Sequence, residues 1–450
     1  VSTPGKAAPE LREHPHEAPA SATQRRRIIG ASVAGTVIEW YDFTLYGLAA
    51  ALVFGPLYFP AAGELGGVLA SLATFAVGLG ARPIGGLVFA HFGDRIGRKP
   101  MLLATLLVMG TATTLIGALP TAALLGPWAA VALVVLRLAQ GAGAGAEFAG
   151  AITMVTESSP GHRRAFASAL PGAAIYVGTG AATIVFALVT LLPKDTFNTW
   201  GWRLPFLASV LIVAVAAYLR LRVDETEAFR RVQSSRSVER APVLEVLRGH
   251  RAHVLAGMGI FTFVIPWAYA MQVFVLSYVT TTLGVPSDTA LVCLVVAELL
   301  AIPAIVGFGR LADRVGRRPV LLSGAAFGIV FPFPMFWLLH SGSVWLIGLA
   351  MTLGICVVQG TTSGPGGALL AELFPARFRW SGIATSREIP AAVFGGTAPL
   401  VATALVAWAN SSPWPVGVYL MVLSALGAVS ILCMPETLRR ERTRRERTRW

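Results

Sequence analysis

Charge is what this sequence has least of. Asp, Glu, Lys and Arg make up 13% of its 450 residues, about half the share of an ordinary soluble domain, while 55% are hydrophobic. A mean hydropathy of +0.67 leaves too few polar side chains to clothe a water-facing surface. Cysteine is scarce as well. Cys293, Cys356 and Cys433 all fall in apolar runs, which excludes a disulfide framework. His14 and His16 stand in a polar leader, and no His/Cys/Asp cluster has metal-ligand spacing, so neither a metal nor any other cofactor is expected.

What the chain has instead is apolar runs of membrane-crossing length. About twenty residues span a hydrocarbon layer of ~30 Å, and such runs recur at 28–54, 65–89, 101–119, 128–155, 166–192, 205–221, 254–279, 290–308, 320–339, 344–370, 383–409 and 416–434. Charge placement supports twelve. With the N-terminus in the cytoplasm and the spans alternating, all but five of the 36 Lys and Arg lie in cytoplasmic segments. The exceptions are Lys194 and Arg203 in outer loops and Arg82, Arg137 and Arg387 within spans. Trp128, Trp200, Trp202, Trp337, Trp345, Trp408 and Trp414 fall near outer ends, as an interfacial belt requires. The same topology accounts for the net charge of +13, which in a soluble domain would suggest a nucleic-acid partner and here does not. Residues 1–27 read as a disordered cytoplasmic tail and not a cleavable signal, because the apolar stretch after them is too long. Residues 435–450 read as a basic cytoplasmic tail.

An internal repeat supplies the architecture. "FGDRIGRKPMLL" (92–103) returns as "LADRVGRRPVLL" (311–322), "ESSPGHRR" (157–164) as "ELFPARFR" (372–379), and Glu225-Thr226 as Glu436-Thr437. The expected fold is an all-α polytopic membrane protein of twelve helices in two six-helix repeats, 28–221 and 252–434, joined by a cytoplasmic linker at 222–251. Duplicated bundles of this kind hold their binding site at the midplane between halves.

Five charged residues, Glu39, Asp42, Arg82, Arg137 and Glu147, occupy the first spans where a helix should be most apolar. Glu39 and Asp42, three apart in "GTVIEWYDFTLYG", share a helix face. Counting about 1.5 Å per residue puts Glu39, Arg82 and Glu147 at matching depths near 15–17 Å, with Asp42 one turn deeper. An ionised side chain there costs about 3 kcal/mol, so these residues are expected to face the bundle interior as one network, with a proton shared among carboxylates that outnumber cations. Arg137 stays cationic and cannot itself carry the proton. The glycines of "GAGAGAEFAG" (141–150) suit close helix packing, and phosphate binding is excluded because they lie inside a helix. In the second half Trp267, Tyr269, Gln272, Glu298 and Gln359 lie near mid-span and are candidates to line a cavity with Tyr41, Tyr46, Arg82 and Gln140. Arg387 and Glu388, adjacent and so about 100° apart around a helix, need not pair with each other.

The duplicated Asp-Arg-x-Gly-Arg-Lys/Arg segments, Asp94 to Lys99 and Asp313 to Arg318, resemble the signature of the major facilitator superfamily. "IEWYDFTLYG", "ARPIGGLVFAHFGDRIGRK" and "RLAQGAGAGAEFAG" further resemble the metabolite:proton symporter family, which includes bacterial carriers of shikimate, α-ketoglutarate, citrate and proline/betaine. Arg137 and Gly141 are similar to that superfamily's helix-four Arg-x-x-x-Gly motif, and the Arg387-Glu388 pair departs from the family pattern.

The resemblance implies a cytoplasmic gate built from Asp94, Arg95, Arg98, Glu157, Arg164, Asp313, Arg314, Arg317, Glu372 and Arg379. Each exposed pair is worth only about 0.5 kcal/mol, yet a network present in one state and broken in the other biases a two-state equilibrium. Expected on these grounds is a bacterial inner-membrane symporter, a functional monomer, importing a small polar metabolite with protons. An organic acid fits the buried arginines, and a zwitterionic osmolyte remains open. Glu39, Asp42 and Glu147, poised by Arg137, are the proton-coupling candidates. Two alternatives are a proton-driven exporter, whose Gly-Pro-rich signature span five lacks, and a transport-dead receptor, which needs no titrating site. No nucleophile–base pair supports an enzyme.

Overall fold

A computed structural model describes residues 22–145, 147–221 and 242–438, all helix and connecting turn. Most of the N-terminal tail, the linker and the basic C-terminal tail therefore lie outside the described residues. The first helix already begins at Ala22, before the boundary at residue 27 read from the sequence, because Arg25, Arg26 and Arg27 continue its first turns.

Twelve long helices follow in order among the described residues. They are α1 (Ala22–Leu52), α2 (Gly63–Ile96), α3 (Arg98–Ala118), α4 (Trp128–Ser158), α5 (Arg164–Thr190) and α6 (Leu204–Leu221) in the first half. The second half has α7 (Arg251–Thr280), α8 (Ser287–Val315), α9 (Arg317–Val330 with Pro332–Leu339, bent by 52°), α10 (Val344–Leu373), α11 (Arg379–Pro390 continued to Trp408) and α12 (Trp414–Leu432). Eight are individually long and apolar enough to cross a membrane, and α9 makes a ninth if its bent pair is one span. The remaining three are weaker for physical reasons. In α1, Glu39 and Asp42 interrupt the apolar run, α6 offers only a short apolar stretch, and α11 carries Arg387 and Glu388 and is broken past Pro390.

The repeated segments turn out to be helix ends and not loops. Asp94 and Arg95 lie in the last turn of α2, Asp313 and Arg314 in the last turn of α8, and a single glycine separates each helix from the next. Gly97 (φ 134°) and Gly316 (φ 119°) adopt conformations that a side chain would strain, which explains why both copies of the motif hold glycine there.

Apolar side chains such as Leu211, Val215, Val292 and Leu432 cover the outside of the bundle, where lipid takes the place of water. Trp128, Trp200, Trp337, Trp345, Trp408 and Trp414 are exposed as a belt requires. Trp202 is not: it is buried among Phe54, Tyr58 and Phe206 and fastens the start of α6 to the end of α1.

Glycine sets the closest approaches. On α2 and α4, a Cβ added at Gly85, Gly141 or Gly145 would lie 2.0–2.1 Å from the carbonyl oxygen of Ala142, Gly78 or Arg82, so backbone packs directly on backbone. That contact presses the α4 glycine run against α2 and brings Arg82 to the inner wall of the bundle.

Candidate functional site

A cavity lies between the two halves. The first half contributes Trp40, Leu79, Arg82, Phe148 and Tyr176 from α1, α2, α4 and α5, and the second contributes Phe261, Tyr269, Gln272, Gln359, Ser363 and Arg387 from α7, α10 and α11. Two of these wall helices are irregular. Pro266 and Pro390 each remove a backbone donor, and π-helical turns follow at Ala270–Val275 and Ala391–Gly395, next to the cavity-lining Tyr269, Gln272 and Arg387.

Of the sequence candidates for substrate binding, Arg82, Tyr269, Gln272 and Gln359 line this cavity. The others pack elsewhere. Trp267 is sealed into the second half, stacked on Phe331 and donating from Nε1 to Ser424 Oγ at 3.0 Å. Tyr46 shares a 2.6 Å hydrogen bond with Thr74, Gln140 serves Arg137, and Tyr41 is buried in the first half. Glu298 is buried on α8 near Tyr176. Trp40, Tyr176 and Arg387 are lining residues absent from the sequence candidates; Tyr176 faces the same cavity as Gln272 of the other half.

Two polar assemblies stand near the cavity. In the first, Arg82 Nη2 donates to Glu39 Oε1 at 2.7 Å and Nε donates to Glu388 Oε2 at 3.1 Å, while Arg387 Nη1 donates to Glu388 Oε1. All four side chains are almost wholly buried. Arg387 and Glu388, which their helical angle does not oblige to pair, do pair here, because the long guanidinium arm folds back across the gap. The bond to Arg82 crosses between halves, and Gly86 leaves the room for it, since a Cβ there would sit 3.0 Å from Glu388 Cγ. Glu39 Oε2 is buried with no hydrogen-bond partner among the described residues. Glu147 stands nearby on α4, accepting from Thr105 at 3.2 Å. The network thus recruits a carboxylate from the second half that depth-matching within the first half could not reveal.

In the second assembly, Asp42 accepts Thr113 Oγ1 and Ser209 Oγ, each at 2.8 Å. Gln140 Nε2 donates to Thr113 at 2.7 Å and its Oε1 accepts from Arg137 Nη1 at 2.5 Å, so Asp42 and Arg137 are joined through two intermediaries. Arg137 rests against the rings of Tyr46, Phe43 and Phe75 at 4.0, 4.6 and 5.0 Å, with Nε and Nη2 buried and without partners among the described residues. A Cβ at Gly78 would collide with this guanidinium at 2.2 Å.

At the end of the bundle where α1 begins and α12 ends, the halves are fastened reciprocally. Asp94 of α2 accepts the Ser381 N–H at the start of α11 at 2.9 Å. Asp313 of α8 accepts the Ala165 and Phe166 N–H groups at the start of α5 at 3.1 and 2.8 Å. Each aspartate therefore caps a helix of the opposite half, where the positive end of the dipole favours it. Arg379 pairs with Glu157 at 3.1 Å, and Arg317 reaches the Gly161 carbonyl at 2.8 Å while also pairing with Asp313 and Glu372. Arg95 and Arg314 are exposed, and Arg164 makes no ion pair among the described residues, so these three stand outside the contact network. The side chain of Arg98 lies outside the described residues. Among the described residues no group of His, Cys, Asp and Glu is placed to hold a metal.

Comparison with known proteins agrees with this geometry. The family model described as Major Facilitator Superfamily matches residues 33–386. The chain is 36% identical over 439 residues to the shikimate transporter of Escherichia coli (strain K12), covering 94% of this chain and 98% of that one. It is 32% identical over 428 residues to the ectoine/proline transporter ProP of Corynebacterium glutamicum, covering 92% and 84%. Among solved structures, the proton:xylose symporter XylE bound to 6-bromo-6-deoxy-D-glucose superposes with a TM-score of 0.73 at 17% identity, covering 92% of this chain and 97% of that one, a likeness of fold. With a family model spanning most of the sequence and relatives aligned nearly end to end, the chain belongs to the Major Facilitator Superfamily of membrane transporters.

Proposed function

We propose that this transporter is a proton symporter, acting as a monomer, that imports a small carboxylate-bearing metabolite across the bacterial inner membrane. The observation that carries the reading is the buried cluster of Glu39, Arg82, Glu388 and Arg387 at the cavity wall. Two cations and two anions balance there as they stand. An entering carboxylate adds one negative charge to a place where unbalanced charge is costly, and a proton taken up with it restores the balance. Arginine cannot supply that proton, whereas Glu39 Oε2, buried and unpartnered, can receive it. Asp42 and Glu147 are further acceptors close by, and Arg137, whose Nε and Nη2 are unused, would hold an ionised Asp42 through Thr113 and Gln140.

Shikimate, proline and ectoine, named for the relatives, all carry a carboxylate. The excess of Lys and Arg at the terminus-bearing end supports a cytoplasmic location for both termini. The contacts made there by Asp94, Asp313, Glu157–Arg379 and Arg317 would then be a cytoplasmic gate that closes in one state of an alternating-access cycle. A zwitterionic osmolyte is the second reading, favoured by the aromatic wall of Trp40, Phe148, Tyr176 and Tyr269, which suits an ammonium group.

The test is uptake of labelled shikimate, proline and ectoine into proteoliposomes under an imposed inward proton gradient. Accumulation that a protonophore collapses, and that Glu39→Gln loses while retaining exchange of internal for external substrate, is the expected result. Asp42→Asn is expected to lower gradient-driven uptake at least tenfold. Uptake indifferent to the gradient in the unmodified protein would end the symport reading.

A further inference from the structure

The two arginines on the cavity wall are not equivalent. Arginine binds a carboxylate best through two parallel N–H bonds, and one such edge is formed by Nε and Nη2. On Arg82 that edge is already filled, with Nε donating to Glu388 and Nη2 to Glu39. On Arg387 only Nη1 is engaged, with Glu388; Nε and Nη2 make no hydrogen bond among the described residues, although the residue lines the cavity. Its guanidinium carbon lies 4.2 Å from the Phe148 ring centroid, so the group rests over an aromatic wall.

From this difference we infer that Arg387 is the anchor for the substrate's carboxylate, binding it through the Nε–Nη2 edge. The inference rests on the carboxylate reading of the function and assigns a residue to it. Glu388 is then a positioning residue. It holds the Arg387 guanidinium through Nη1 so that the other edge stays free, and its second oxygen ties the same unit to Arg82 of the first half. Binding at Arg387 therefore occurs on the side chain whose partner bonds the two halves together at membrane depth. Tyr269 completes the neighbourhood from α7. Arg82 is left with a different task, since any ligand taking its paired edge must first displace two carboxylates.

The experiment measures binding of shikimate, citrate and proline, each beside its methyl ester, to the purified protein in nanodiscs. For the unmodified protein the expected result is a preference of at least tenfold for at least one acid over its ester. Arg387→Gln should abolish that preference while leaving affinity for the ester within about twofold. Arg387→Lys, which keeps the charge but not the paired donors, should retain only part of it. Glu388→Gln, whose amide oxygen can still accept from Arg387 Nη1, should keep the preference for the acid, whereas Glu388→Leu, which leaves the guanidinium unheld, should weaken it at least threefold with ester affinity within about twofold; an undiminished preference in Glu388→Leu removes the positioning role. If Arg387→Gln fails to fold, Arg387→Lys decides: a preference as strong as that of the unmodified protein overturns the assignment. Equal loss of acid and ester binding in Arg387→Gln shows a structural role only and overturns it too. Should the unmodified protein show no preference for any acid, the carboxylate reading falls and the assignment with it. A preference present in the unmodified protein and undiminished in Arg387→Gln removes the Arg387 assignment alone.

Discussion

The two halves share one ancestral plan and differ in what fills the middle. The first bundle is cross-linked there by ions and hydroxyls, through Glu39–Arg82 and the chain from Asp42 by way of Thr113 and Gln140 to Arg137. In the second bundle rings fit into gaps: Trp267 stacks on Phe331, and Phe263 packs where Gly328 and Gly427 leave space. Away from its ends that bundle holds only Glu298, Arg387 and Glu388 as charged residues. Helical irregularity is divided the other way, since both π-helical turns found among the described residues lie in α7 and α11 of the second half. Buried charge needs fixed partners, whereas a π turn gives a helix a place to bend. The difference teaches that most of the buried charge and the helical irregularity are lodged in separate copies of one repeat, and that they meet at the Arg82–Glu388 bond.

The strongest way to break this comparison is to remove one central residue from each half. Arg82→Gln leaves Glu39 and Glu388 buried without their common cation and should cost about 3–5 kcal/mol, with transport lost. Trp267→Phe, which gives up one hydrogen bond and some volume, should cost about 2 kcal/mol and leave transport within a few-fold. Thermal unfolding in detergent and uptake in proteoliposomes measure the pair. A smaller contrast uses glycines. Gly141→Ala drives a methyl group into the Gly78 carbonyl and should destabilise by about 1–3 kcal/mol. Gly366→Ala meets only ordinary contact, 3.7 Å from Leu321, and should be neutral or stabilise by up to about 1 kcal/mol through helix propensity. The smallest effect sharpens the comparison at the proposed gate. Arg379 and Arg164 occupy matching positions of the repeat, but among the described residues only Arg379 finds a carboxylate, Glu157. Arg379→Gln should shift the equilibrium toward the open gate by about 0.5–1 kcal/mol, and Arg164→Gln should not, as judged by labelling of a cysteine placed behind the gate.

Fold and topology were largely legible in the sequence because their signals are local or periodic. Run length, the placement of Lys and Arg, and the repeated Asp-Arg-x-Gly segment need no knowledge of contacts between distant residues. The site was legible in part. Depth-counting brought Glu39 and Arg82 together because both belong to one bundle, where axial height is nearly the only variable. Glu388 was missed as their partner because its contact depends on how the bundles face each other, which no count along one helix contains. Trp267 and Tyr46 were misplaced for a related reason: an aromatic at mid-span looks the same whether it faces a cavity or the inside of its own half. Gly86 carries the one local clue to the inter-bundle bond, and it reads as a packing glycine until Glu388 is seen against it.

The reciprocal caps formed by Asp94 and Asp313 have a genetic consequence. Each aspartate is a specific side chain, but what it grips is a peptide N–H, at Ser381 on one side and at Ala165 and Phe166 on the other. Every residue except proline carries that group. The fastening is therefore one-sided to mutation: its acid can be lost in many ways, while its receptor survives almost any substitution. Pairwise covariation between the two ends would find nothing to track, and a saturation scan of α5 would register the link chiefly as intolerance of proline in a first turn that otherwise accommodates it.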